Sequence, residues 1–442
     1  MKFRGLLAAA FVLAALGGAV YWSEKKKKAD EGKPAADAPP KILTIPDADF
    51  KDIRIAKGAE ATAVSKGSDG KWKITEPKPL AADQDAVNSL ISTLANLASD
   101  RLIEEKAANV AEYGLATPSM EVAITKKDGK IQKVLLGDET PTAGGSFARL
   151  DGDPRVFTVA SFVKTNLDKT SKDLRDKRLL TFDSDKLTRV ELTAKNQSTE
   201  FGKNNQNEWQ ILKPKPYRAD GSQVEELVRK LKDAKMDTSV SDEDAKKAVA
   251  SFGGAARVAV VTVSDSGGNQ QLEVRRDKDK NYFAKSSVIE GIYKVNADLG
   301  EGLDKDTDAF RNKKLFDFGW NDPSKVEVGT VAYQKTGDKW MAGAKQMDSA
   351  SVQNLVDKLR DLTSTKFLDN AAGAVVLNAA VTSGEGGKRV EKVLVSKQGN
   401  SYFGKRDNEA AGYEIEGKLV EELMKAAADI KEFQPPKDEK KK

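Results

Sequence analysis

Residues Glu208–Asp220 read EWQILKPKPYRAD, and residues Lys71–Asp83 read KWKITEPKPLAAD, agreeing at seven of thirteen positions without a gap. Trp72 and Trp209 stand 137 residues apart, and so do Asp83 and Asp220. Four residues after each aspartate an apolar stripe begins. Val87, Leu90, Ile91, Leu94 and Leu97 correspond to Val224, Leu227, Val228, Leu231 and Ala234. A third stripe, Val352, Leu355, Val356, Leu359 and Leu362, follows Asp348, and Lys339-Trp340 lies upstream with the Pro-Lys-Pro linker shortened. This spacing predicts one face of an amphipathic helix with the aspartate capping its first turn.

The copies keep pace downstream. Phe147-Ala-Arg, Tyr282-Phe-Ala-Lys and Tyr402-Phe-Gly-Lys each precede a turn and a short apolar strand, Val156-Phe-Thr-Val, Ile292-Tyr-Lys-Val and Tyr413-Glu-Ile. The joints Arg175-Asp-Lys-Arg-Leu-Leu and Arg311-Asn-Lys-Lys-Leu-Phe recur at 136 residues. A period this long exceeds that of solenoid repeats, so each copy is expected to be a domain with its own core. Alternating runs such as Glu121-Val-Ala-Ile-Thr and Lys133-Val-Leu-Leu-Gly, split by Asp128-Gly129, predict hairpins. Each copy then reads as two strands, a Trp-bearing strand, an extended Pro segment, a helix and further strands. The expected fold class is α+β: three tandem repeats, each a mostly antiparallel sheet carrying one main amphipathic helix. The recurring tryptophans are expected to be core anchors.

The divisions that follow are 42–180 for the first repeat domain, 181–314 for the second and 315–433 for the third. Ahead of them, Gly5–Ser23 is uncharged, and its apolar part, Leu6–Trp22, would span about 26 Å as a helix, enough for a bilayer core. Tyr21, Trp22 and the lysines at 25–28 resemble an interfacial flank, so 1–23 is expected to be one N-terminal transmembrane anchor of the signal-anchor kind. The alternative is a cleaved signal peptide ending near Gly17-Gly18-Ala19. Residues 24–41, EKKKKADEGKPAADAPPK, are charged and lack an apolar stripe, which predicts a disordered tether. Residues 434–442 read as a solvated tail.

Composition narrows the chemistry. A chain of 442 residues is too long for one ordinary core. It contains no cysteine and no histidine. Disulfides, thiolate nucleophiles, Cys-anchored lipidation and Ser-His-Asp or Cys-His catalysis are therefore excluded. The net charge of +5 sits at the ends: residues 1–41 carry eight basic against four acidic side chains, and the tail four against two, leaving the body at −1. A near-neutral body has no footprint for a phosphate backbone, so no nucleic-acid partner is expected.

The pattern W.I..P....AD...V..L...L, with YGLATP at Tyr113–Pro118, LLG at Leu135–Gly137, FAR at Phe147–Arg149 and LRDKRLL at Leu174–Leu180, resembles the bacterial family called domain of unknown function 4340. The resemblance is clear over the first copy and fair over the second; in the third the Pro linker and the Tyr-Gly-Leu motif are eroded. It implies one N-terminal membrane segment and a body exported to the periplasmic or other extracytoplasmic side of the cytoplasmic membrane. As for some members, it also implies service beside an ABC transport system of the gliding-motility type. The lysines at 25–28 argue for the opposite topology. No catalytic residues come with the family.

The residues themselves offer no site. Asp304, Asp306 and Asp308 begin like a calcium loop, but Ala309 and Leu315 stand where Gly and Glu are needed. Ser383–Lys388 lacks phosphate-loop spacing and reads as a hairpin turn. Asp83, Asp220 and Asp348 are accounted for by capping. No catalytic, cofactor-binding or metal-binding residue and no cofactor is assigned, and the chain is expected not to be an enzyme. It is expected to be a membrane-tethered, exported binding or scaffolding component with an envelope protein partner, possessing the membrane as its other contact. The alternatives are a carboxylate-dependent envelope hydrolase acting on glycans and a cytoplasm-facing membrane scaffold.

Overall fold

The computed structural model describes residues 40–141, 144–240, 249–320, 322–407 and 409–435. The anchor, nearly all of the tether and most of the tail inferred from sequence lie outside them. No helix among the described residues is long and apolar enough to cross a membrane.

The first repeat builds one nine-stranded sheet from two meanders. The first holds β1 (Phe50–Lys57), β2 (Glu60–Lys66), β3 (Trp72–Glu76) and β4 (Leu80–Ala81). The helix α1 (Gln84–Ala95) and the strand β5 (Arg101–Glu104) follow. The second meander holds β6 (Met120–Lys126), β7 (Ile131–Glu139), β8 (Gly145–Leu150) and β9 (Val156–Ala160). The meanders join where β1 pairs antiparallel with β6, Ile53 opposite Ile124, giving the order β4-β3-β2-β1-β6-β7-β8-β9-β5. Strand alternation sends Ile53, Ile55, Val122, Ile124, Val134 and Leu136 to one face, where the stripe Val87, Leu90, Ile91 and Leu94 of α1 covers them.

The second repeat follows the same path. Its strands are β10 (Arg189–Ala194), β11 (Gln197–Lys203), β12 (Trp209–Lys213), β13 (Tyr217–Arg218), β14 (Ala256–Asp265), β15 (Gly268–Arg276), β16 (Tyr282–Ser286) and β17 (Ile292–Val295). Its main helix, α2, is Gly221–Lys232. The third repeat holds β18 (Lys325–Val328), β19 (Val331–Thr336), β20 (Lys339–Ala342), β21 (Lys345–Gln346), β22 (Ser364–Leu368), β23 (Ala374–Ser383), β24 (Arg389–Gln398), β25 (Ser401–Arg406) and β26 (Gly412–Ile415), with α3 at Ser349–Arg360. All named strand pairs are antiparallel, and the three sheets share one order. The exception is a ninth strand. β5 and β22 close the first and third sheets. At the corresponding place in the second, among the described residues, only the bond from the Asp237 N–H to the Lys294 carbonyl (2.8 Å) remains.

The α+β class and the three antiparallel sheets match the sequence expectation, and two details differ. Each repeat ends on a second helix, Ser161–Leu167, Ala297–Leu303 or Gly417–Ala428, which packs beside the main one. The Pro segment is a tight turn rather than an extended linker. The Glu76-Pro77 and Lys213-Pro214 bonds are cis, and the chain reverses so that Leu80 pairs with Ile74 and Tyr217 with Ile211.

Contacts divide the chain between Lys177 and Arg178 into two compact units, the second containing both later repeats. Within each repeat the incoming segment bridges to the residue just past the main helix: Lys41 to Ala98, Arg178 to Lys235, Lys314 to Thr363. The outgoing segment bridges to the residue just before that helix: Arg175 to Ala82, Arg311 to Ala219, Glu432 to Met347.

The motifs that mark the first repeat turn out to be one contact. Gly114 adopts φ +68°, and a β-carbon on Gly137 would fall 2.0 Å from the Tyr113 carbonyl, so the Tyr-Gly-Leu and Leu-Leu-Gly motifs require each other's glycine. The Tyr113 ring meets Phe147 of the Phe-Ala-Arg motif edge-on at 4.9 Å, and its hydroxyl donates to Glu104 (2.8 Å).

Candidate functional site

Trp72, Trp209 and Trp340 are buried on the third strand of their repeats. Each has a lysine ammonium over its ring from the neighbouring strand: Lys66 at 5.7 Å, Lys203 at 5.0 Å and Lys335 at 5.9 Å. Asp83 caps α1 by accepting from the N–H groups of Asp85 (3.0 Å) and Ala86 (3.1 Å). Asp220 and Asp348 do the same for α2 and α3, through Gln223 (3.2 Å) and Ser351 (2.8 Å). Asp306 caps a short 3-10 turn and Asp308 pairs with Arg311 (3.1 Å). Residues 384–388 turn the β23–β24 hairpin. These side chains are spread over three repeats, and the structure does not gather them into one place.

What it does gather is a charged joint inside the second unit. β13 ends on Arg218, whose Nε donates to Glu409 (2.7 Å) and whose Nη2 donates to the Lys314 carbonyl (2.5 Å). Glu409 also accepts from Arg406 Nε (2.7 Å) and from the Tyr413 hydroxyl. Arg406 extends the chain of pairs to Glu391 (3.0 Å) and to the Leu315 carbonyl. Glu391 in turn accepts from the Asp317 N–H (2.9 Å). Arg311, from the duplicated joint motif, lies between the rings of Tyr217 (4.0 Å) and Phe367 (3.7 Å), one from each repeat. Paired charges and a guanidinium stacked between two rings thus join the second and third repeats.

Burial pushes Glu409 toward protonation, but Arg218, Tyr413 and Arg406 outweigh it and hold the carboxyl below its ordinary value of 4.5. Burial and the Glu409 charge raise the Tyr413 phenol. Both act to keep the Arg218–Glu409 pair charged.

Beside this joint opens a cleft of about 680 Å3, within the size range of small-molecule sites. Glu208, Trp209 and Gly221 line it from the second repeat, and Lys314, Asp317 and Arg389 from the joint and the third. Of its four acids three are engaged: Glu208 lies 3.6 Å from Arg389, Asp317 accepts from Asn312 (2.6 Å), and Asp220 caps α2, while Glu225 lines the cleft from the exposed side of that helix. Among the described residues no group of three acids is placed to hold a metal ion.

Sequence reasoning reached the joint only through the Arg311 motif. Arg218, Glu409 and Arg406 occur once each, so the repeat carried no signal for them. Gly221 did leave a mark: it is the residue after the aligned aspartate, where the first copy has Gln84.

No curated protein and no solved structure matches the chain. Residues 72–210 and 209–380 each match the family described as Domain of unknown function (DUF4340), the first stretch ending and the second beginning on the Trp strand of the second repeat. Together these matches cover well over half of the sequence, and the chain is a member of the DUF4340 family.

Proposed function

We propose that this protein is a membrane-tethered, exported scaffold that holds a partner rather than transforming a substrate, as an accessory component of a gliding-motility-type ABC transport assembly. The observation that carries the scaffold reading is the joint: ionic and hydrogen-bonding groups around the 680 Å3 cleft fix two repeats into one body. A hydrolase of the carboxylate type needs a pair of acids free to exchange protons across a bond. Of the four acids lining the cleft, Glu208, Asp220 and Asp317 are instead tied to a guanidinium, a helix end and an amide, which leaves Glu225 without a second free carboxylate to pair with. Tethering and export rest on the apolar run Leu6–Trp22 with its aromatic flank and on the family resemblance.

The absence of cysteine makes the topology directly testable. Single cysteines are introduced by Phe3→Cys before the apolar run and Ala36→Cys after it. A membrane-impermeant maleimide applied to cells with a permeabilised outer barrier is expected to label position 36 and to spare position 3 until lysis. Labelling of position 36 only after lysis would place the body in the cytoplasm. Crosslinking through position 36 is expected to capture ABC transport subunits, and glycan hydrolysis by the purified protein would overturn the scaffold reading.

A further inference from the structure

The three repeats close the strand bearing their tryptophan in three ways. In the first, the Gln84 carboxamide lies against the edge of β3: its Oε1 accepts the Trp72 N–H (2.8 Å), and its Nε2 donates to the carbonyls of Trp72 (3.0 Å) and Ala82 (2.9 Å). In the third, the Met347 N–H bonds the Trp340 carbonyl directly (2.8 Å). In the second, Gly221 takes the place of Gln84, and among the described residues no side chain replaces the carboxamide at Trp209. A β-carbon placed on Gly221 would have nothing within 4 Å, and Gly221, Trp209 and Ala219 all line the 680 Å3 cleft.

The register shows which way the Trp209 backbone points. Asn204 and Glu208 form a hydrogen-bonded pair (2.9 Å), so Trp209 faces its N–H and carbonyl away from β11, as Trp72 does. The second repeat therefore turns away from β11, on the side where Trp209 lines the cleft, the donor and acceptor that the first repeat satisfies from within.

We infer that the cleft is a recognition site for a primary carboxamide, an asparagine or glutamine side chain of a partner polypeptide, bound at Trp209 as Gln84 is bound at Trp72. The class follows from geometry. A primary carboxamide carries an N–H on the same side as its C=O and can meet both Trp209 groups at once. A trans peptide or N-acetyl amide points its N–H and C=O in opposite directions and can meet only one. A carboxylate of the same shape offers no donor to the Trp209 carbonyl and would approach Glu208, which also lines the cleft. The inference rests on the scaffold reading only in taking the ligand from a partner protein.

The test uses the full chain in detergent and two probes, N-acetyl-Ala-Gln-Ala-N-methylamide and the same peptide with Glu for Gln. Hydrogen–deuterium exchange is read in fragments covering Trp209. The Gln peptide is expected to slow exchange there, and the Glu peptide to need at least about tenfold more for the same effect, the cost of one hydrogen bond lost in a built site. Gly221→Gln is expected to slow exchange at Trp209 without peptide and to abolish the response. Gln84→Gly is expected to create a response at Trp72. No slowing at Trp209, equal response to both peptides, or an undiminished response in Gly221→Gln would each overturn the inference. The Gly221→Gln arm stands whether or not Gln84→Gly folds, and none of the arms depends on which side of the membrane the body occupies.

Discussion

The first and second repeats share a strand order, a buried tryptophan and an aspartate-capped helix, yet they use the residues around the tryptophan to different ends. Ala81 stands in β4 where Arg218 stands in β13, and Gln84 opens α1 where Gly221 opens α2. The first repeat turns its polar capacity inward and satisfies its own strand. The second turns it outward, spending Arg218 on the third repeat and leaving the strand edge beside Gly221 open. Duplication preserved what the core needs and released what the surface could afford to change.

The largest effect that tests this comparison lies in the part held in common. Trp72→Ala and Trp209→Ala should each cost about 3–5 kcal/mol, the range for emptying a buried aromatic site. Calorimetry of the whole chain is expected to show the first lowering the transition of the unit that ends at Lys177, and the second lowering that of the unit beginning at Arg178. A single transition that moves equally with either substitution would break the comparison.

A smaller effect belongs to the second unit alone. Arg218→Met removes the guanidinium from Glu409 while keeping an unbranched apolar stem. Breaking a fully buried pair costs about 3–5 kcal/mol, and because both partners retain some exposure the expectation here is about 2 kcal/mol. The pair also sets a pH signature. Glu409 is held below 4.5, so its contribution is fully present above that value and is lost as the pH falls through its depressed one. Urea melts of the second unit's transition should therefore weaken with acid below about pH 4.5, and Arg218→Met should flatten that slope. An unchanged slope in the variant would assign the acid sensitivity to other carboxylates.

The smallest effect sharpens the comparison at the helix starts. Asp83 accepts two N–H groups and Asp220 one. Each Asp→Ala substitution should cost about 1 kcal/mol, with Asp83→Ala the costlier, as measured by the shift in denaturation midpoint.

What the sequence revealed and what it hid follow the same division. The tryptophans, the capping aspartates and the Val87, Val224 and Val352 stripes recur because each copy must rebuild one core, and recurrence is visible without coordinates. The turn after Trp72 and Trp209 departs from the extended segment that the sequence predicts because proline signals a break in pairing but not the direction in which the chain leaves. The joint stayed hidden: Arg218 reaches Glu409 across 191 positions, and neither has a counterpart in the other copies. The meaning of Gly221 needed the geometry of Gln84 beside it, since a lone glycine at a helix start ordinarily signals nothing.

The paired bridges of each repeat place its way in and its way out on the two flanks of a single helix. A segment with that property can be copied in tandem without opening any sheet, because the chain enters each copy at one end of its main helix and leaves at the other, outside the sheet's strand order. Number of copies then becomes a quantity that gene duplication can alter in whole steps, lengthening or shortening the body by one repeat at a time. Each new copy would arrive with its core complete and with the strand edge beside its helix free to diverge, as it has between Gln84 and Gly221.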